Sequence, residues 1–142
     1  MNLHQLLLRN CSLRSLHKEA LRNLTIMVVL DLSYNALTEL DAETFAYNAK
    51  LRFLYLSGNP LAKLRAHQFP KLADLRLLEL IQCDLEAIDK KAFINLNKLE
   101  TLKLGDNRLT NLKSDVLQPF NNLKSLDLQV CCLEKRHRNR YY

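Results

Sequence analysis

The sequence predicts an α/β solenoid in which short parallel strands line a concave face and loops or short helical turns return along the convex side. Leu supplies 34 of the 142 residues, against two Gly, three Pro and no Trp. Apolar residues recur with a period of 24, and each period has the same internal spacing. Such self-similarity is the sequence signature of repeat architectures and decides a fold more securely than local propensity.

Six repeats, called rungs below, follow one another without insertion or deletion. They begin at Leu3, Met27, Leu51, Leu75, Leu99 and Leu123. The sequence therefore predicts a repeat array over residues 1–133 and a basic tail over residues 134–142. A chain of this length is expected to form one domain.

Within each rung the spacing is L-x-x-L-x-L-x-x-N/C-x-L-x-x-L, counted from the leading apolar residue as place 1. The third rung shows it with Leu51, Leu54, Leu56, Asn59, Leu61 and Leu64. Side chains at alternate places of a strand share one face, so Leu54 and Leu56 are expected to face the core. One rung cannot bury its own leucines, and neighbouring rungs have to supply the rest of the core.

Place 9 of every rung, in the turn after the strand, holds Asn or Cys. These residues are Cys11, Asn35, Asn59, Cys83, Asn107 and Cys131. A buried amide there can donate to backbone carbonyls and accept from backbone N–H groups of adjoining rungs, and a small thiol tolerates burial. Cys11 and Cys83 are about 14 Å apart at the usual strand spacing, so we expect them to be free thiols.

This pattern resembles the leucine-rich-repeat superfamily over residues 3–133, and Phe45, Phe69 and Phe93 at place 19 resemble its typical 24-residue subtype, found mostly in extracellular proteins. The resemblance implies a non-catalytic recognition module, as in receptor ectodomains and secreted proteins of innate immunity or adhesion. It names no ligand, because the superfamily hosts many unrelated binding roles.

Both ends of the array are expected to lack a cap. Only two residues precede Leu3, and only the basic tail follows Leu133. Repeat arrays are normally closed by capping repeats with a polar outer face. We therefore expect either a segment of a longer ectodomain or homo- or hetero-association through the open ends.

The outward places of the strands are expected to form columns across the concave face. Place 3 gives a row of apolar neighbours, Val29, Phe53 and Leu77, with Tyr55 and Ile81 close by. A contiguous apolar patch with aromatic members fits a hot spot for protein binding. The predicted ligand-binding residues are Val29, Arg52, Phe53, Tyr55, Arg76, Leu77, Glu79 and Ile81.

Charged side chains of both signs surround this row, and we expect Arg52 and Arg76 to orient a ligand. Strand spacing also allows ion pairs between rungs, each worth about 0–1 kcal/mol when exposed. The pairs expected are Arg76 with Glu100, Lys103 with Glu79 and Lys103 with Asp127. The alternative interpretation is a solvent-exposed face whose charged residues pair with one another and not with a ligand.

Three features bear on the compartment. The triplets at Asn10 and Asn23 match the N-x-S/T acceptor of glycosylation, which would require a secretory route. Cys132 is expected to be exposed and could form an interchain disulfide, whereas in a reducing compartment it would be an ordinary residue of the last rung. No transmembrane run and no secretion signal is present, so we expect an extracellular or cell-surface chain whose signal has been removed, with a cytoplasmic chain as the alternative.

Catalytic chemistry is not expected. The four His residues are scattered over the rungs, no CxxC or HExxH spacing occurs, and no cofactor or metal site is predicted. The net charge is +6, but half of it belongs to the tail, so no specific nucleic-acid partner is expected. Alternatives to extracellular recognition are an intracellular scaffold built on the same array and contact of the basic tail with a polyanion or a membrane surface.

Overall fold

The computed structural model describes residues 2–129, and most of its strands lie in one parallel sheet. The elements are β1 (Gln5–Leu7), β2 (Val29–Asp31), β3 (Phe53–Tyr55), β4 (Lys63–Leu64), β5 (Leu77–Glu79), β6 (Ala87–Ile88), β7 (Thr101–Lys103), α1 (Ser114–Leu117) and β8 (Ser125–Asp127). The main sheet has the order β1-β2-β3-β5-β7-β8, which follows the chain. This order confirms the predicted solenoid of parallel strands.

The register of the strands repeats the period of the sequence. Leu30 pairs with Leu54, Leu54 with Leu78, and Leu78 with Leu102, each 24 residues further along the chain. All four are fully buried, whereas the residues on either side of them in each strand are half-buried. Because side chains alternate between the faces of a sheet, place 4 faces the core and places 3 and 5 face outward.

The returning segments close the core on the opposite side. β4 pairs with β6 in a separate parallel sheet of two strands, and α1 is a short helical turn in the fifth rung. Phe45, Phe69 and Phe93 are buried and stack with centroid distances of 6.4 and 6.3 Å. Phe120 continues the stack 5.5 Å from Phe93. Such pairs contribute about 0.5–1.5 kcal/mol each beyond the area they bury, so the stack helps to join successive rungs.

The amides at place 9 tie each rung to the one before it. Nδ2 of Asn59 donates to the Leu56 carbonyl of its own rung (2.9 Å) and to the Leu32 carbonyl of the preceding rung (3.0 Å). Its Oδ1 accepts from the Leu37 N–H at 3.1 Å. Asn35 and Asn107 make the equivalent bonds in their rungs. Buried backbone groups that lie outside the sheet are satisfied in this way.

The two described cysteines at place 9 are free thiols and differ in burial. Cys83 is fully buried, and its Sγ donates to the Leu56 carbonyl at 3.3 Å, where an amide would donate in other rungs. Burial raises the pKa of the Cys83 thiol to about 12. Cys11 is exposed, and among the described residues its rung pairs with one neighbouring rung only. The place-9 pattern therefore does not bury the thiol at Cys11.

Place 8 has a left-handed backbone in each of the first five rungs. The residues are Asn10, Tyr34, Gly58, Gln82 and Asp106, with φ of 56°, 56°, 76°, 57° and 55°. Glycine adopts this conformation at no steric cost, and Asn and Asp tolerate it better than other residues. Tyr34 and Gln82 are therefore held in an unfavourable conformation by the turn that every rung has to make.

At the first rung, five leucines are partly buried and pack against the core: Leu3, Leu6, Leu8, Leu13 and Leu16. Leu7 points away from them and is 62% exposed. The remaining place-9 residue Cys131, the disulfide candidate Cys132 and the basic tail over 134–142 lie outside the described residues.

Candidate ligand-binding surface

The outward face of the sheet carries a continuous apolar row. Val29 pairs in register with Phe53, and Phe53 pairs with Leu77, so the three side chains stand on neighbouring strands. All three are half-buried. Parallel strands are about 4.8 Å apart, which brings apolar side chains on neighbouring strands into contact. The structure thus brings together the three residues that the sequence places in this row.

Tyr55 lies two residues beyond Phe53 on the same strand and therefore on the same face. In register, it has Asp31 on one side and Glu79 on the other. Partial burial and the charges of Glu79 and Asp31 raise the pKa of the Tyr55 hydroxyl. Tyr55 is thus a neutral aromatic side chain between two carboxylates.

Hydrogen bonds fix the two carboxylates beside Tyr55. Oδ1 of Asp31 accepts from the backbone N–H of Ser33 at 2.9 Å. Oε2 of Glu79 accepts from the Ser57 hydroxyl at 2.9 Å, and the Ser57 oxygen accepts from the N–H of Ile81, also at 2.9 Å. Ile81 is half-buried and follows Glu79 on the same face.

Ser33 occupies the place in the second rung that Ser57 occupies in the third. Its hydroxyl is fully buried and has no hydrogen-bond partner among the described residues. The Ser57 hydroxyl donates to Glu79, which is at place 5 of the next rung. For Ser33, place 5 of the next rung holds Tyr55, which has no carboxylate to accept the bond. The aromatic residue on the concave face thus leaves a buried hydroxyl unsatisfied.

Charges at place 2 are largely paired within the chain. Nη1 of Arg76 donates to Oε2 of Glu100 at 2.7 Å, and Nζ of Lys124 lies 3.6 Å from Oε1 of the same carboxylate. The hydrogen bond from Arg76 lowers the pKa of Glu100. Arg52 is exposed and has no carboxylate within 4.0 Å over residues 2–129. Arg52 is therefore the more available of the two predicted orienting cations.

The expected ion pairs of Lys103 do not form: in the described part of the chain no carboxylate lies within 4.0 Å of its Nζ. Lys103 stands between Glu79 and Asp127 in register. However, Glu79 turns toward Ser57, and Oδ1 of Asp127 accepts from the N–H of Gln129 at 2.9 Å. These local hydrogen bonds hold both carboxylates in other directions.

An aromatic contact at the end of the strands was not predicted from the sequence. The guanidinium of Arg9 lies 4.6 Å from the ring centroid of Tyr34, and the Tyr34 hydroxyl donates to Oε1 of Gln82 at 3.1 Å. A Cβ atom at Gly58 would be 2.4 Å from Cδ1 of Tyr34, so the ring crosses the third rung where that rung has no side chain. An aromatic residue and a glycine at the same place of consecutive rungs is the signal that could have predicted it.

Both acceptor asparagines of the predicted glycosylation triplets, Asn10 and Asn23, have exposed side chains. Over residues 2–129, no three His, Cys, Asp or Glu residues come close enough to hold a metal ion. The same residues include no helix with the length and apolar character that crossing a membrane requires.

The sequence and the fold of this chain are similar to those of known proteins. A sequence model described as leucine rich repeat matches residues 1–61 and 73–133. A chain of the TLR13–ssRNA13 complex is 33% identical, with a TM-score of 0.82 over 86% of this chain. A chain of the Drosophila Toll–Spatzle complex is 28% identical, with a TM-score of 0.74 over 81%. This chain covers 17% of the length of each of them. No curated protein sequence matches it.

Proposed function

The chain belongs to the leucine-rich repeat family, and from this premise we propose that it is a non-catalytic recognition module that binds a protein ligand through its concave face. The observation that carries the proposal is the apolar row of Val29, Phe53 and Leu77, half-buried side by side on neighbouring strands. Scattered apolar residues on a surface need no explanation, but a contiguous patch with an aromatic member is typical of a binding hot spot.

The two solved relatives support a recognition role. One is a complex with single-stranded RNA and the other a complex of Toll with Spatzle. Their fold is shared with this chain, but the chain covers only 17% of each, so the ligand has to be inferred from its own residues. Among these, Phe53 and Leu77 are the anchors. Arg52, which has no carboxylate partner over residues 2–129, orients the ligand.

An extracellular setting, as part of a receptor or a secreted protein of immunity or adhesion, belongs to the proposal. It is supported by the exposure of Asn10 and Asn23, since a glycan requires an accessible acceptor. Expression in a secretory host should yield a protein that loses mass on glycosidase treatment, and Asn10→Gln with Asn23→Gln should abolish that loss. A protein secreted without glycan at either residue would contradict this part of the proposal.

Binding can be tested without knowledge of the natural ligand. A random-peptide display library is selected against the chain, and the affinities of the recovered peptides are measured for the wild type and for Phe53→Ala with Leu77→Ala. Truncation of a hot-spot anchor costs at least about 2 kcal/mol, so loss of both anchors should weaken binding by about 700-fold.

The matched control for this experiment is Ile94→Ala. Ile94 is 41% exposed and lies on the returning side of the fourth rung, away from the sheet. This variant should bind the peptides as the wild type does, and both variants should retain the circular dichroism spectrum of the wild type. Equal affinity of the double variant and the wild type would overturn the proposal.

A further inference from the structure

Carboxylates that form no ion pair with a cation of the described chain stand beside the apolar row of the concave face. Asp31 and Glu79 flank Tyr55 in register, about 10 Å apart at two strand spacings. Over residues 2–129 neither carboxylate has a Lys, Arg or His nitrogen within 4.0 Å. Asp127, at place 5 of β8, likewise has none, whereas Glu100 at place 2 is paired with both Arg76 and Lys124. The chain thus neutralises Glu100 and leaves the place-5 carboxylates, Asp31 and Glu79 among them, without an ion-paired cation over the described residues.

These two carboxylates are also oriented in advance. Asp31 is held by the Ser33 N–H, and Glu79 is held by a Ser57 hydroxyl that is itself fixed by a backbone N–H. These are neutral donors, so they orient the carboxylates without removing their charge. Lys103 is the nearest candidate cation in register with Glu79, but it forms no ion pair with it. A ligand that supplied a cation would therefore meet acceptors already in place.

The Tyr55 ring supplies a third element. A Lys ammonium or an Arg guanidinium is attracted to the face of a Tyr ring when it lies within about 6 Å of the centroid. A cation over Tyr55 would stand between both carboxylates at the same time. Phosphate-bearing ligands are disfavoured at this place, because the carboxylates of Asp31 and Glu79 repel them.

We propose that the concave face selects a protein segment that presents a lysine or arginine to Tyr55, between Asp31 and Glu79, next to an apolar side chain on Phe53 and Leu77. This inference rests on the proposed function and specifies the chemistry of its ligand. Places 3 and 5 are about 7 Å apart along a strand, so the cation and the apolar group of the ligand have to be about that far apart. Residues three or four positions apart on one face of a helix meet this spacing.

The peptides recovered from the library test this directly. The expected result is enrichment of a Lys or Arg close to an apolar residue. Asp31→Asn with Glu79→Gln should lower the affinity for these peptides about tenfold, which corresponds to a loss of about 1.4 kcal/mol of charge interactions. Tyr55→Ala should also weaken peptide binding, and by more than Tyr55→Phe, which keeps the aromatic face.

The matched control is Glu39→Gln with Asp89→Asn, which changes the net charge equally but on the returning side. Both residues are exposed. Oδ1 of Asp89 accepts from the Lys91 N–H at 2.8 Å, and the amide oxygen of an asparagine can accept the same bond, so the fold is preserved. The control variant should bind as the wild type does. An equal loss in both double variants would show a long-range charge effect and would overturn the inference.

The outcomes separate the inference from the proposed function. Two results would overturn the inference and leave the concave-face function intact, both for peptides whose binding depends on Phe53 and Leu77. One is that these peptides carry no Lys or Arg. The other is that their affinity is unchanged by Asp31→Asn with Glu79→Gln. Peptides that do not depend on Phe53 and Leu77 overturn both. A single-stranded oligouridylate serves as a second probe, and displacement of the peptides by it would show that the face takes a polyanion, contrary to the inference.

Discussion

The amides at place 9 allow a prediction in which equivalent substitutions have different, calculable effects. We compare Asn107→Ala with Asn59→Ala. Both side chains are fully buried at the same place of their rungs. The two differ in what would be left without a partner, because the rung before Asn59 carries Asn35 at place 9, whereas the rung before Asn107 carries Cys83.

Asn107→Ala removes the partner of several backbone groups. Its Oδ1 accepts from the N–H groups of Cys83 (2.9 Å) and Leu85 (3.0 Å), and its Nδ2 donates to the carbonyls of Leu80 and Leu104, both at 2.8 Å. An unsatisfied buried group costs about 1–3 kcal/mol, and a hydrogen bond contributes about 1 kcal/mol. We therefore expect a loss of about 4–6 kcal/mol in the free energy of unfolding.

Asn59→Ala leaves fewer groups unpaired. The Leu32 carbonyl keeps a bond from Asn35 at 2.9 Å, and the Leu56 carbonyl keeps its bond from Cys83 at 3.3 Å. Among the described residues, only the Leu37 N–H loses the acceptor that satisfies it. The expected loss is about 2–3 kcal/mol.

Urea unfolding followed by circular dichroism measures these free energies. Asn97→Ala is the control, since Asn97 is exposed and only its backbone carbonyl accepts a hydrogen bond, from the Asn121 N–H, within the described chain. This substitution should cost less than about 0.5 kcal/mol. The predicted order of cost is Asn107, then Asn59, then Asn97. The reasoning is refuted if Asn107→Ala costs no more than Asn97→Ala, or if the two buried substitutions cost the same.

Three further predictions concern residues in or next to the same turns. The thiol of Cys83 has a pKa of about 12 in the folded chain and near 9.0 when unfolded. The stability it contributes is therefore intact below pH 9 and is lost as the pH rises toward 12, by about 1.4 kcal/mol per unit. The difference in unfolding free energy between the wild type and Cys83→Ala should shrink over this range, and rapid labelling of Cys83 in the native protein at pH 8 would contradict it. Gly58→Ala should cost about 1–3 kcal/mol, because the new Cβ meets the Tyr34 ring and the backbone is left-handed. The cost should fall in a Tyr34→Ala background, and an unchanged cost there would exclude the clash. Ser33→Ala should be neutral or stabilising in thermal unfolding, since it removes a buried hydroxyl that has no hydrogen-bond partner among the described residues. Ser57→Ala should cost about 1 kcal/mol, because its hydroxyl donates to Glu79. The reverse order would show that the Ser33 hydroxyl has a partner.

The spacing of apolar residues was sufficient to predict the fold. A period of 24 without gaps determines which residues stand beside each other, as the pairing of Val29, Phe53 and Leu77 shows. Side-chain alternation then determines which of them face outward. The strand register and the face of the sheet on which each side chain lies are thus properties of the repeat itself and can be derived from the sequence.

The directions of polar side chains could not be derived in the same way. Lys103 stands between two carboxylates in register, yet Glu79 and Asp127 bond to local donors instead. The place of a charged residue in its rung determines which residues stand beside it but not which rotamer its side chain adopts. Local hydrogen bonds compete with exposed ion pairs, which are worth only about 0–1 kcal/mol. The exposure of Cys11 has a different cause, since a repeat pattern describes a rung with a neighbour on each side, and the rung of Cys11 pairs with one rung only among the described residues.

Methyl NMR of the isolated chain tests the central claim most directly, because it reports contact residue by residue. A peptide recovered by selection on the wild type is titrated into protein labelled at Val, Leu and Ile methyl groups. Binding through the concave face predicts that the resonances of Val29 and Leu77 shift while that of Ile94, on the returning side, stays in place. Shifts at Ile94 with unchanged Val29 and Leu77 would contradict the account.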